Sequence, residues 1–268
     1  MLWSIVGGIP EYLLKFDANL SLWDNVRNNV IQKGTYLYEE VEYLLNEEFR
    51  EPNNYKLIFK SIALGYNRLG GICNYTGLDK SMASKYLDVL NKLHILREEI
   101  PVTVSLKFKR RMHFIHEPFF NFWFRFIYSN RIDLEANRQN EVLESIKRDF
   151  PMYCGLMFGV LVTELIMRKQ ILRDHPFTKI GRGWHKDKEI DVVALNDATG
   201  EILFVECEWK NLYRRQAEVV LGELSEKSRH VDWNNAARTE YFGIIGKKIE
   251  GKDELREKGF VVMDLDDF

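Results

Sequence analysis

Beyond Phe177 the apolar residues gather mostly into short runs bounded by turn residues, and these runs constrain the chain most. Phe177 to Ile180, Ile190 to Leu195 and Ile202 to Trp209 read as three strands, with Asn196-Asp197-Ala198-Thr199-Gly200 turning between the last two. Gln216 to Arg229 reads as a helix, and Thr239 to Ile245 and Gly259 to Asp264 as further strands. A meander followed by a crossover helix predicts a small mixed sheet, led by a helix over Met152 to Leu172.

Upstream the pattern is helical. Pro10 opens a helix over Glu11 to Phe16, and Leu37, Val41, Leu44, Leu45 and Phe49 make Tyr36 to Phe49 amphipathic, so residues 1–53 read as a helical, lid-like segment. Residues 54–131 carry helices at Tyr55 to Tyr66, Gly71 to Tyr75 and Ser81 to His94, then strands at Ile95 to Val102 and Met112 to Ile115. That is the order of a winged helix-turn-helix. In the third helix Met82, Tyr86, Leu87, Leu90 and Leu93 would face inward, leaving Ser81, Ser84, Lys85, Asp88 and Lys92 outward. Such a helix would lie in the major groove of double-stranded DNA, with Lys107, Lys109, Arg110 and Arg111 at the wing tip meeting phosphates. The same elements also serve as protein-binding modules, and Asp88 on the presented face opposes a phosphate contact. The aromatic helix Glu117 to Tyr128 reads as buried between layers and Ser129 to Gln139 as a polar linker, which places the last domain at residues 132–268.

Charge follows these divisions. Residues 1–53 hold 4 Lys/Arg against 9 Asp/Glu, residues 54–131 hold 13 against 5, and residues 132–268 hold 21 against 26, although the net charge is only -2. A basic middle between acidic flanks agrees with a nucleic-acid contact in the middle. Cys73, Cys154 and Cys207 have no CxxC spacing, so neither a disulfide framework nor a Cys-based zinc site is expected. The apolar stretch Cys154 to Met167 is shorter than the ~20 residues a bilayer needs, and the N-terminus lacks a basic n-region, so a cytoplasmic protein without a membrane partner is expected.

Acidic residues converge on the expected sheet. Glu189 and Asp191 would share a face of one strand, Glu206 and Glu208 a face of the next, with Lys210 continuing it. Carboxylates from adjacent strands, with Glu164 from the preceding helix, are oxygen ligands suited to Mg²⁺, Asp191 and Glu206 foremost. A metal there would activate water against a phosphodiester, which is the logic of PD-(D/E)XK nucleases. Acidic strand ends are also often merely solvated. His185 and His230 read as surface residues, and Cys207, on the opposite face from Glu206, as core.

Several longer motifs carry a family resemblance. Gly7-Gly8-Ile9-Pro10-Glu11-Tyr12-Leu13, Leu44-Leu45-Asn46-Glu47-Glu48-Phe49-Arg50-Glu51-Pro52, Thr76-Gly77-Leu78, His116-Glu117-Pro118-Phe119 and Phe122-Trp123-Phe124-Arg125-Phe126 resemble the region after the P-loop module of archaeal-type ATPases. Gly181-Arg182-Gly183-Trp184, Glu189-Ile190-Asp191 and Phe204-Val205-Glu206-Cys207 resemble the C-terminal nuclease-like domain of that family. The resemblance implies a lid remnant, a winged helix and a PD-(D/E)XK-like α/β domain in an α+β chain. No GxxxxGK[ST] occurs, so no ATP binding is expected, and a separate P-loop ATPase subunit is an implied partner. The chain departs from the family where Phe158-Gly159 replaces Phe-Glu on the helix and where Glu206-Cys207-Glu208 replaces Glu-Cys-Lys. Glu164 and Lys210 are the residues expected to stand in. Mg²⁺-dependent phosphodiester hydrolysis by a DNA-binding protein is the leading expectation, and an inactive regulatory or interaction module the second.

Overall fold

The computed structural model describes every residue except Leu106, Asp174 to Pro176 and Asp187. The protein is a mixed α+β chain that divides into two compact units, one of Met1–Glu98 with Arg110–Pro151, the other of Glu99–Lys109 with Met152–Phe268. The first unit holds α1 (Leu2–Val6), α2 (Pro10–Leu13), α3 (Leu22–Asn25), α4 (Tyr36–Glu48), α5 (Pro52–Ala63), α6 (Leu69–Thr76) and α7 (Lys80–Lys92). The paired strands β1 (Leu96–Glu99) and β2 (Met112–Ile115) come next, then α8 (Pro118–Phe122), α9 (Arg131–Glu135) and the start of α10 (Gln139–Met167).

Residues 1–53 do not stand apart from the rest of the first unit. The Trp123 indole N–H donates to the Tyr38 carbonyl at 2.9 Å, and Gly7, at φ +64°, lies so close to Pro118 that a Cβ there would be 3.1 Å from the proline ring. The aromatic run is buried as its composition predicts, with Phe59 and Phe124 stacked at 4.9 Å. One core therefore serves both the lid-like segment and the basic middle.

The expected linker at Ser129 to Gln139 is instead largely helical. Leu134 of α9 is fully buried, Arg131 pairs with Glu42, and Glu135 accepts the Tyr38 hydroxyl at 3.0 Å while pairing with Lys33. Its polar residues are consumed in ion pairs inside the first unit, so the boundary moves from 131/132 to the Pro151–Met152 peptide. Pro151 lies within α10, where it lacks an N–H and its ring crowds the preceding turn. Over 29 residues α10 is apolar and long enough to cross a membrane, longer than its most apolar stretch suggests. Its buried residues pack elsewhere: Val142, Leu143, Ile146 and Phe150 belong to the first unit, and Phe158, Val162 and Ile166 to the second.

In α7 the buried stripe is Ala83, Leu87 and Leu90, whereas Met82 and Leu93 are exposed. The small Ala83 sets the rotation of the helix, because its side of the helix can approach the core closely. The Asp79 side chain caps α7 by accepting the amides of Ser81 and Met82 at 2.8 and 2.9 Å.

The second unit contains β3 (Lys179–His185), β4 (Lys188–Asn196), β5 (Glu201–Leu212), α11 (Arg214–Ser228), β6 (Thr239–Ile249), α12 (Lys252–Glu257) and β7 (Val261–Met263). The strands lie in sequence order, the first three antiparallel and the last two joined in parallel through α11 and α12. Val192, Ala194, Leu203, Val205 and Cys207 pack with Phe158, Val162 and Ile166 of α10. Val193, Leu195, Ile202 and Phe204 pack with Leu224 of α11. Helix α12 has no counterpart in the sequence pattern, since its six residues carry only Leu255 into the core. The expected strand Ile95 to Val102 ends at Glu99, ahead of Pro101, which has no amide to give a ladder. Val102 then donates its amide to the Arg182 carbonyl at 3.1 Å and packs on the sheet of the second unit.

Candidate functional site

The β4–β5 ladder runs to the pair Val192 and Val205, and Asp191 and Glu206 are the residues that come next on the two strands. There the ladder gives way to side-chain chemistry. Asp191 Oδ2 accepts the Cys207 amide at 2.9 Å, and Glu206 Oε1 accepts from Lys227 Nζ at 2.8 Å. Burial pushes the Glu206 carboxyl up to about 7, the neighbouring Asp191 charge adds to it, and Lys227 opposes it. Cys207, on the α10 side, is buried, and burial together with the Asp191 and Glu206 charges raises its thiol well above the ordinary range. It is core, as the alternation predicts.

Lys227 carries no signal of its own in the sequence. It lies one turn beyond Leu224, which packs against Ile202 and Phe204 on the strand face that continues to Glu206. The only pointer to it is an i, i+3 step along the sheet-facing stripe of α11, visible once that helix is seated on β5.

The two expected substitutes do not join the pair. Lys210 Nζ binds Glu208 at 3.0 Å with its side chain 57% exposed, just where the β5–β6 register becomes irregular. Glu164 is paired with Arg168 at 2.5 Å. The α10 residue beside Asp191 is Gly159, whose Cβ, if present, would lie 3.8 Å from Asp191 Cγ. Five residues on, Glu164 is rotated by ~140° around the helix. Glu189 stands 3.9 Å from Arg182. The structure thus brings together Asp191, Glu206 and Lys227, while Glu164, Glu208 and Lys210 are satisfied in local pairs.

Two carboxylates from adjacent strands fit a divalent cation by donor chemistry, since Mg²⁺ is commonly held by one or two carboxylates plus water and phosphate oxygens. Burial drives Glu206 upward and the neighbouring Asp191 charge adds to it; a bound cation would offset that like-charge contribution. Among the described residues no three His, Cys, Asp or Glu side chains cluster as a fuller ligand set. His185 and His230, expected separately at the surface, stack with ring centres 5.8 Å apart, and His230 Nε2 meets Lys188 Nζ at 2.8 Å.

On α7, Ser81, Ser84, Lys85 and Lys92 are exposed, and Lys92 is paired with Asp88 at 2.6 Å. Lys107 and Lys109 are exposed in the second unit, while Arg110 is exposed in the first beside Arg111, which pairs with Glu98. The exposed face of α7 also carries Met82, Val89 and Leu93, so that, against expectation, Met82 and Leu93 give it an apolar component.

Fold and site together describe an α+β protein with a half-buried acid pair at the end of a β-ladder, next to a helix-borne lysine. Residues 123–220 match the family model DUF234, described as archaeal and bacterial proteins of unknown function. The match contains Gly159, Asp191 and Glu206 and stops before Lys227. The whole chain is similar to an uncharacterised protein of Methanocaldococcus jannaschii, at 35% identity over 269 residues, and spans 59% of that relative's length. No solved structure matches the chain.

Proposed function

We propose that the protein is a DNA-binding protein whose second unit is a PD-(D/E)XK-like nuclease fold, with Asp191 and Glu206 as the acid pair of a phosphodiester-cleaving site. The observation that carries this reading is the juxtaposition of the two carboxylates one register step beyond the β4–β5 ladder, partly withdrawn from water and short of positive charge. A bound Mg²⁺ would supply Lewis acidity and a water of lowered pKa. The chain's own part is to hold Asp191 through the Cys207 amide and Glu206 through Lys227, so that both carboxylates are fixed before a ligand arrives. In the first unit, α5 to α7 with β1 and β2 act as a winged helix, offering Ser81, Ser84 and Lys85 to a duplex and Arg110 to phosphates.

The test is cleavage of plasmid DNA with Mg²⁺ or Mn²⁺. The expected result is nicking that vanishes in Asp191→Asn and Glu206→Gln while duplex binding persists and weakens with salt. Gly159 beside Asp191 and Glu208 beside Glu206 favour a second reading, a module that binds DNA or a P-loop ATPase subunit without cleaving. That reading predicts no nicking under any metal, with duplex binding lost in the triple variant Lys109→Ala/Arg110→Ala/Arg111→Ala. Absence of duplex binding at low salt refutes both nucleic-acid readings.

A further inference from the structure

Two lysines compete for the role of positive partner to the acid pair, and the geometry separates them. Lys210 follows Glu206 on the same strand, yet its ammonium is spent on Glu208 and its side chain is largely in solvent. Lys227 reaches from α11 to Glu206 at 2.8 Å, with the Glu206 side chain only 13% exposed and its own only 31%. Glu206 in turn faces Asp191, so the three groups form one arrangement of two acids and one base.

We propose that Lys227 is the positioning residue of this site: it acts through Glu206, fixing the carboxylate and supplying from α11 the positive charge that β5 does not present there. The inference rests on reading the second unit as a phosphodiester-cleaving site, but its core, that Lys227 holds the Glu206 carboxylate in place beside Asp191, stands on geometry alone. Removing the ammonium unveils two adjacent carboxylates to any competing cation. Glu208 is two residues from Glu206 on the same strand, so a lysine at 208 would bring an ammonium back beside Glu206 and at the same time remove the carboxylate that now detains Lys210.

The experiment compares wild type, Lys227→Met, Lys227→Arg and Lys227→Met/Glu208→Lys, each checked for folding by circular dichroism. Ca²⁺ binding is read from the shift in melting temperature, and cleavage is read on plasmid DNA with Mg²⁺. The expected result is that Lys227→Met binds Ca²⁺ ~10-fold more tightly while losing ~10–100-fold in cleavage. Lys227→Arg stays near wild type, and the double variant returns both readouts toward it. Unchanged Ca²⁺ binding and cleavage in Lys227→Met overturn the inference, and if that cleavage still needs Asp191 and Glu206 the nuclease reading survives alone. If wild type never cleaves but Ca²⁺ binding tightens in Lys227→Met and relaxes in the double variant, the inference stands and hydrolysis falls. Absence of Ca²⁺ binding in every variant overturns the inference.

Discussion

The first unit holds a half-buried acid between two cations, whereas the second unit sets two acids against one. Glu42 receives hydrogen bonds from Lys56, whose side chain is only 6% exposed, and from Arg131. Burial pushes its carboxyl up, but the two cations outweigh burial and leave it below the ordinary range. Glu206 has one lysine and a second carboxylate, and it lies well above that range. Over-compensated charge holds segments together, here α4, α5 and α9. Under-compensated charge is costly for folding, and a further cation or a proton would relieve it.

The same substitution should therefore act with opposite sign in the two units. Glu42→Gln leaves the buried Lys56 ammonium and the Arg131 guanidinium without their anion, and should lower stability by ~3 kcal/mol. Urea unfolding at pH 7 measures it, and a loss below experimental error would remove the contrast between the units. Glu206→Gln should do the reverse at high pH. The folded protein keeps a proton on Glu206 up to about 7, whereas the unfolded chain releases it near 4.5. Stability contributed by this group is thus present at low pH and disappears as pH rises through 4.5 to 7. A glutamine, neutral throughout and still able to accept from Lys227, should raise stability at pH 8 by on the order of 1–3 kcal/mol, with little change at pH 4. Melting in EDTA at the two pH values checks this. Destabilisation at pH 8 would mean that Lys227 fully compensates the pair.

The contrast also explains what could be read from sequence. Asp191 and Glu206 are legible because an antiparallel meander brings them near each other just past the last β4–β5 pair, without knowledge of any other element. Lys227 and Gly159 are not, since each becomes part of the site only through the seating of a helix on the sheet. Sequence proximity nominates Lys210 and helix proximity nominates Glu164, and both are drawn off by closer partners of opposite charge. In the first unit the polar stretch around Arg131 and Glu135 resembles a linker because its partners, Glu42, Lys33 and Tyr38, lie about ninety or more residues away. Long-range pairing gives no local signature.

His113 sharpens the comparison at acid pH. It sits on β2 with its side chain buried, and Nδ1 has no hydrogen-bond partner among the described residues. Burial depresses its pKa, with the Glu98 charge working in the other direction and Arg111 reinforcing the depression. The neutral form is favoured on folding, so its contribution is whole above the ordinary histidine value and is lost as pH falls through it. The first unit should thus weaken on acidification just where protonation of Glu206 relieves the second. His113→Leu should flatten the acid limb of the first unit by ~1 kcal/mol between pH 7 and 5, read by tryptophan fluorescence against hydrogen exchange resolved by unit. An unchanged acid limb would assign it to other groups.

The smallest expected effect bears on why the second unit is short of ligands at Asp191. A Cβ on Gly159 would meet Asp191 Cγ at 3.8 Å and the Cys207 Cβ at 3.9 Å, which is ordinary contact and not a clash. Gly159→Ala therefore costs no space, while it removes backbone freedom from the unfolded chain within a helix, and it should stabilise by ~0.5–1 kcal/mol. Thermal melting decides it. A gain means that the corner beside Asp191 lacks a carboxylate although one methyl group of room is present, so the acid pair is limited by residue identity and not by packing. A loss means that α10 needs glycine there to approach β4 and β5, and the under-compensated pair is then a consequence of close helix–sheet packing.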